Sequence, residues 1–369
     1  MNIYGMVRME EEIINILHIG HEHPSLPKIG MMVENMHSIK SEVQVVGISG
    51  NKNVSFFVKI CNEWTSTELQ LVDSKDTFKR TPFSPKLLYT LKSSSVLIFG
   101  CGSGGSRLAI GLARAGIGEL KLADIDRFSI ENCSRHECDL LDLHRYKSDA
   151  VKERVLKINP FIKVISYHID IFKSGNEGIL NEAFENVSLV IGSTDNTSVQ
   201  LAINHEAWQR KIPALFGGCY EEAKGGEVFY VLQDKETSCL ECLRGGLKQP
   251  KRGKIDYSRA RDEQDYKGEP GLHAAINFIT DIEEQFAIAL LLRNEDCQLA
   301  KLIEPQRNYI LIGGALAEGF YIFQKPFQII RPLIKGQRKD CRCCQNKPLS
   351  KSKETKALEE IEKMKKIRF

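Results

Sequence analysis

An α/β fold built on a doubly wound parallel sheet is what the middle of this chain predicts, and three observations predict it. Val96-Leu-Ile-Phe99 is a continuous apolar run without polar alternation, as a strand buried on both faces requires. It leads directly into Gly100-Cys-Gly102-Ser-Gly-Gly105, which opens a helical pattern over 106–116. Strand-like and helical runs then alternate, the βαβ pattern of a parallel sheet with helices on both faces. The predicted class is therefore a Rossmann-like doubly wound sheet.

The chain's own punctuation sets the element order. Residues 10–18 carry Ile13, Ile14 and Leu17 at helical spacing, which predicts a helix ended by the turn at His18-Ile-Gly-His21-Glu-His23-Pro24. Those histidines suggest a metal at first sight, but two of them flank a proline-containing turn that explains the local composition without one. Alternating runs at 43–48, 54–60 and 68–72 read as short strands. Together they predict a small N-terminal α+β domain over 1–75. A polar linker and a short helix cover 76–91. Strands follow at 96–99, 120–123, 163–168 and 189–191, with a return strand at 227–232 after Gly225-Gly226. Helices are expected at 147–158, ended by Asn159-Pro160, and at 271–293. This unit spans 76–345. The remainder, 346–369, is Lys- and Glu-rich with Ala357, Leu358, Ile361 and Met364 spaced as on a surface or partner-binding helix, or as a solvated tail.

Composition excludes several classes. The chain has 369 residues, enough for two to three domains by the usual size of about 150 each. Lys and Arg total 51 against 48 for Asp and Glu, a net charge of +3, too balanced for a dedicated nucleic-acid binder. The longest apolar stretch, 309–323, is short and holds Glu318, so no membrane-spanning helix is expected. Glu10, Glu11 and Glu12 stand where a secretory signal would place its apolar core. Eleven cysteines, an odd number in a long chain, fit a reducing cytoplasm with a metal site better than a disulfide scaffold.

The Gly-rich segment is the first candidate site. Gly100 permits a tight turn, Gly102 lets the backbone approach a phosphate, and Gly105 lets helix and strand pack closely. N–H groups at the helix start then face an anion. Asp124 and Asp126 follow about twenty residues on, where a carboxylate can take ribose hydroxyls. The chain continues with Asn132, Arg135 and Lys147, and Asp195 and Asn196 follow a further strand. Cations there can neutralise a triphosphate and the charge that develops when a carboxylate attacks its α-phosphate. An acid beside them can hold a magnesium ion that bridges phosphate oxygens. Hydride transfer would leave Arg135, Lys147 and Asp195 unexplained.

Cys239-Leu-Glu-Cys242 and Cys341-Arg-Cys-Cys344 form the second candidate. Thiolates at this spacing can occupy adjacent corners of a tetrahedron, and two pairs roughly a hundred residues apart complete a closed zinc site of structural type. Cys343 is then the spare.

Gly100 to Gly105, Ala115-Gly-Ile-Gly118, Leu122-Ala-Asp124-Ile-Asp126, Glu131-Asn132-Cys-Ser-Arg135, Tyr146-Lys147 and Thr194-Asp195-Asn196 together resemble the ThiF/MoeB family, the fold of ubiquitin-activating enzymes and sulfur-carrier adenylyltransferases. The resemblance covers residues 95–344. It implies ATP- and magnesium-dependent adenylation of a carboxylate. It further implies Asp124 on ribose, Arg135 and Lys147 on the phosphates, Asn132 and Asn196 beside them, and Asp195 on magnesium. It also implies a homodimer, with Arg80 the nearest candidate for an arginine supplied by the partner protomer. The family's transthiolating members carry a reactive cysteine in a loop corresponding to 248–271, where this chain has none. Cys219 and Cys297 remain, and Cys219 reads as a buried structural thiol. Two substrates are consistent with the resemblance: a ribosomally made peptide, gripped by the added N-terminal domain, or the C-terminus of a ubiquitin-like protein. A non-catalytic nucleotide-binding scaffold stands behind them.

Overall fold

The computed structural model describes residues 2–8, 13–20, 28–36, 39, 44–49, 54–60, 63–67, 69–71, 77–246 apart from 174 and 235, and 270–345 apart from 335. The loop around 248–269, the tail 346–369, and His21 and His23 lie outside them.

The N-terminal part is a seven-stranded sheet in the order β6-β5-β4-β3-β1-β2-β7. Its strands are β1 (Asn2–Arg8), β2 (Ile13–Gly20), β3 (Lys28–Val33), β4 (Val45–Ser49), β5 (Val54–Ile60), β6 (Glu63–Thr67) and β7 (Leu69–Leu71). The helix expected over 10–18 is corrected: Ile13–Gly20 is a strand, antiparallel to β1 with Arg8 opposite Ile13 and Asn2 opposite Gly20. Four of its eight residues are isoleucine, whose branched Cβ is stiff in a helix and fits a pleated surface. Among the described residues this part holds no α-helix. Ile3, Ile29, Val45 and Val58 form its small core, with Met32 and Phe56 packed on it.

The second sheet has eight strands, β8 (Ser95–Phe99), β9 (Glu119–Ala123), β10 (Lys163–Tyr167), β11 (Leu189–Gly192), β12 (Ala214–Cys219), β13 (Gly225–Val231), β14 (Tyr309–Gly313) and β15 (Ile329–Ile330). Their order is β10-β9-β8-β11-β12-β13-β14-β15. The first five are parallel, and β13 returns antiparallel to β12 as Gly225-Gly226 suggested. The helices are α1 (Pro85–Lys92), α2 (Ser103–Ala115), α3 (Lys147–Ile158), α4 (Glu177–Phe184), α5 (Thr197–Gln209), α6 (Leu240–Gly246) and α7 (His273–Leu291).

Each strand face has its own core. Val96 and Ile98 of β8 pack with Leu108, Leu112, Val151, Phe286 and Leu290 from α2, α3 and α7. Leu97 and Phe99 face the other way, onto a core shared with Phe184, Ile203 and Ala207 from α4 and α5. That is why the run at 96–99 shows no alternation. Helix ends obey local chemistry. Ser84 Oγ accepts from Leu87 N–H, Pro85 follows at the first helical position, and α2 stops at Gly116 with φ of 94°. Asn159, which ends α3, donates from Nδ2 to Ala113 O at 3.0 Å and so ties α3 to the end of α2.

From β8 the chain steps outward to β9 and β10, then crosses back to place β11 on the other side of β8. Loops after β8 and β11 therefore diverge, leaving a crevice at the strands' carboxyl ends. The Gly-rich loop and the Ser193–Asn196 turn lie there.

Candidate nucleotide site and four-cysteine cluster

The Gly-rich loop is held from several sides. Gly100 has φ of 91°, a conformation other residues rarely adopt, and a Cβ on it would strike the Ser193 carbonyl of the neighbouring turn. A Cβ on Gly105 would collide with the Gly100 carbonyl oxygen, so α2 lies directly on the loop that starts it. Gly102 differs: a Cβ there would meet nothing within 4 Å. The first-turn N–H groups of α2 have no intrahelical acceptor, and the N-cap, Gly102, has no side chain to accept from them. Open space beside Gly102 at a helix start fits an anion such as a phosphate.

Asp124 stands just past β9. One carboxylate oxygen accepts from Cys101 N–H at 2.6 Å and the other from Asp126 N–H at 2.8 Å. Each retains a lone pair for a further donor. Burial raises this carboxyl's pKa above the usual value, against the pull of Lys147. Lys147 opens α3 and donates to Asp126 Oδ2 at 2.9 Å. Burial works against its charge, but Asp124 and Asp126 outweigh it, so its pKa stands above the usual lysine value. The ammonium can donate to an anion, while the two carboxylates beside it can accept from hydroxyl groups.

Other expected site residues have varied placements. Arg135 is half-buried, with a guanidinium nitrogen 3.8 Å from where a Cβ on Gly271 would lie, ahead of α7. Its carbonyl accepts from His273 Nδ1 at 3.3 Å. Asp195 is exposed in the turn after β11. Gln200 shapes that turn, its Nε2 donating to Thr194 O at 2.8 Å and Gly217 O at 3.3 Å. Asn132 and Asn196 have local roles in the chain. Asn132 Oδ1 accepts from Ser129 N–H at 3.0 Å, and Asn196 caps α5 by accepting from Ser198 N–H at 2.9 Å. Arg80 is exposed on the turn before α1, and among the described residues no hydrogen bond or ion pair joins it to this cluster.

Sequence reasoning did not single out Gln200 or His136. Both act on main-chain groups, which every residue has and which leave no motif. Cys101 within the loop and Cys138 near it are buried, and burial pushes the Cys138 thiol up to about 12. Such a thiol is a poor nucleophile.

The four paired-motif cysteines do converge. Sγ atoms of Cys239, Cys242, Cys341 and Cys344 all lie within 4.8 Å of one another. Cys239 and Cys341 are 3.5 Å apart, and Cys242 and Cys344 3.4 Å. A tetrahedral zinc with bonds of about 2.3 Å would set sulfur separations near ~3.8 Å, inside the range these four sulfurs span, so the cluster fits a single ion after small shifts. Cys343, the expected spare, instead accepts from Asn204 Nδ2 at 3.1 Å, while Asn204 Oδ1 accepts from Leu240 N–H at 3.0 Å. One asparagine of α5 thus braces both halves of the cluster.

The ThiF family profile matches residues 77–296, well over half of the sequence, and the chain belongs to that family. The sulfur carrier protein ThiS adenylyltransferase of Bacillus subtilis is 29% identical over 169 residues, 45% of this chain and 48% of that protein. The match therefore spans about half the length of that relative. Molybdopterin-synthase adenylyltransferase of Salmonella typhimurium is 25% identical over 223 residues, 57% of this chain and 88% of that one. Among solved structures, the microcin C7 biosynthetic enzyme MccB in complex with N-formylated MccA shares the fold with a TM-score of 0.52 at 19% identity, over 70% of this chain and 69% of its own. E. coli MccB with ATP gives 0.52 at 20%, over 70% and 68%.

The loop geometry separates two glycines. Gly105→Ala is expected to destabilise the fold by about 1–3 kcal/mol through overpacking against the Gly100 carbonyl. Gly102→Ala is expected to change stability by less than about 1 kcal/mol, because its Cβ enters open space. Urea unfolding of the two variants measures both.

Proposed function

We propose that this chain uses ATP to adenylate a carboxylate on a peptide. The observation that carries this reading is the meeting of three groups at the crevice: the Gly-rich loop, the Asp124–Lys147–Asp126 cluster and the turn bearing Asp195. In the proposed reaction a carboxylate oxygen forms a bond to the α-phosphorus of ATP while the bond to pyrophosphate breaks. N–H groups at the start of α2 would receive phosphate oxygens. Lys147 and Arg135 would balance the charge that builds up there. Asp124 would accept from ribose hydroxyls with its remaining lone pairs, and Asn132 and Asn196 would flank the phosphates. Asp195 would help hold a magnesium ion, which supplies further neutralisation of phosphate charge. Arg80, with no hydrogen bond or ion pair to the cluster among the described residues, would act from the partner of a homodimer.

The peptide reading draws on the N-terminal sheet, which ends in β6 on one side and β7 on the other. An extended peptide can add to such an edge through main-chain hydrogen bonds. MccB, solved with N-formylated MccA, has the same fold. The second reading, activation of a ubiquitin-like or sulfur-carrier protein, is favoured by the names of the sequence relatives. Among the described residues no helix is long and apolar enough to cross a membrane. Free thiols at the cysteine cluster suit a reducing cytoplasm.

Three outcomes are expected. With magnesium, ATP and the carboxylate substrate, the chain should exchange labelled pyrophosphate into ATP, and Asp195→Ala should lower that exchange on the order of a hundredfold with the fold intact. Undiminished exchange in the variant would remove Asp195 from the assignment, and release of ADP and phosphate would make the reaction a phosphorylation.

Metal analysis should find one zinc per chain, held by Cys239, Cys242, Cys341 and Cys344 in a structural role. Cys242→Ser should lose it and unfold more readily. Zinc well below one per chain, in protein prepared without chelators, would contradict the assignment.

A chain beginning after Val72 should retain ATP binding while its substrate affinity falls at least about tenfold, some 1.4 kcal/mol. Unchanged substrate affinity in a soluble, dimeric truncation would rule out a gripping role for the N-terminal sheet.

A further inference from the structure

We propose that His136 is a positioning residue of the nucleotide site: it ties the Gly-rich loop to the segment carrying Arg135 and so sets the separation of two phosphate-binding groups. The proposal rests on the adenylation reading above.

His136 follows Arg135 directly and is buried. Its two ring nitrogens face main-chain groups whose chemistry leaves only one tautomer. Cys138 N–H, which can only donate, points at Nδ1 from 3.0 Å, so Nδ1 carries no proton. Nε2 must then carry it, and donates to the carbonyl of Cys101 at 2.7 Å. Phe128 meets the ring edge to face at 5.0 Å and 74°, which prevents it from swinging away. Burial pulls the imidazole's pKa down to about 4, so at neutral pH the ring acts through geometry and not through charge.

The partner atom matters. Cys101 lies inside the Gly-rich loop, and its N–H is already held by Asp124. The His136 bond fixes its carbonyl, so both peptides flanking Cys101 are pinned, one from the ribose side and one from the Arg135 side. A second tie runs alongside: Glu137 N–H donates to Ser106 Oγ at 3.4 Å, and that hydroxyl donates to Ser103 O at 3.2 Å. His273 holds the Arg135 carbonyl from α7. The His136 ring is therefore the tie that reaches the Gly-rich loop itself, at the Cys101 carbonyl, while the Glu137–Ser106 bond joins the same segment to the first turn of α2.

The test compares two substitutions that split the ring's two bonds. His136→Asn can still accept from Cys138 N–H through a short amide but cannot reach the Cys101 carbonyl. His136→Gln places an amide N–H where Nε2 lies. Equilibrium binding of magnesium–ATP, measured by calorimetry without any carboxylate substrate, should weaken about tenfold in His136→Asn and return to within about threefold of the unaltered chain in His136→Gln. Equal ATP affinities in the two variants would overturn the positioning role while leaving the nucleotide site standing. Failure of the unaltered chain to bind ATP would instead sink the adenylation reading, and this proposal with it. Should His136→Asn fail to fold, full-strength ATP binding by a folded His136→Phe would overturn the proposal.

Discussion

The contact on which this structure depends is the one between a helix and the loop that starts it. Because Gly105 carries no side chain, α2 sits against the Gly100 carbonyl, and its first N–H groups open directly onto the crevice. Everything else at the site is arranged around that approach. Asp124 holds one peptide of the loop, and Lys147 and Asp126 pair beside it. The Ser193 carbonyl packs where any other residue at Gly100 would put a Cβ. Two glycines thus permit a backbone geometry that charged side chains from β9, α3 and the turn after β11 can surround.

A second arrangement braces the far half of the sheet. Glu227 on β13 is buried, yet Tyr220 and Tyr309 hydroxyls donate to one oxygen at 2.6 and 2.7 Å, and Arg244 donates to the other at 2.6 Å. A buried carboxylate with this many donors is compensated, whereas removal of one partner would leave a charge exposed to apolar surroundings. Arg244 belongs to α6, the helix that carries Cys242. Polar network and cysteine cluster therefore anchor the same short helix, one to the sheet and one to the C-terminal segment.

Much of this was legible in the residues, for physical reasons that vary by element. The apolar run of β8 and the glycines after it admit few other structures, and α3 is bounded by Lys147 and Asn159-Pro160 as read. The cysteine pairs were legible because two pairs at that spacing match the corners of one tetrahedral metal site. Elsewhere the pattern misled or was silent. Ile13, Ile14 and Leu17 fit a helical stripe as well as a strand, and only pairing with β1 decides between them. The helix α5 escaped notice because two of its buried positions, Gln200 and Asn204, are polar, which hides its apolar face. Gln200 serves the carbonyls of Thr194 and Gly217, and Asn204 the N–H of Leu240 and the sulfur of Cys343. His136 escaped for the same reason: its partner Cys101 is 35 residues away and is recognised by its carbonyl, which every residue has.

The strand order also carries a kinetic consequence. β9 reaches β8 after one helix, but β11 must come from far along the chain, as the hydrogen bond between Ser95 and Ser188 across 93 residues illustrates. The cysteine cluster closes a span of 102. Pairings this distant lose chain entropy before any contact compensates it, so they form slowly. The crevice, which needs β8 and β11 side by side, cannot exist in the first folded fragment to leave the ribosome. An early fragment with β8, α2 and β9 would present the loop with one wall missing, and the thiols would be among the last groups to meet.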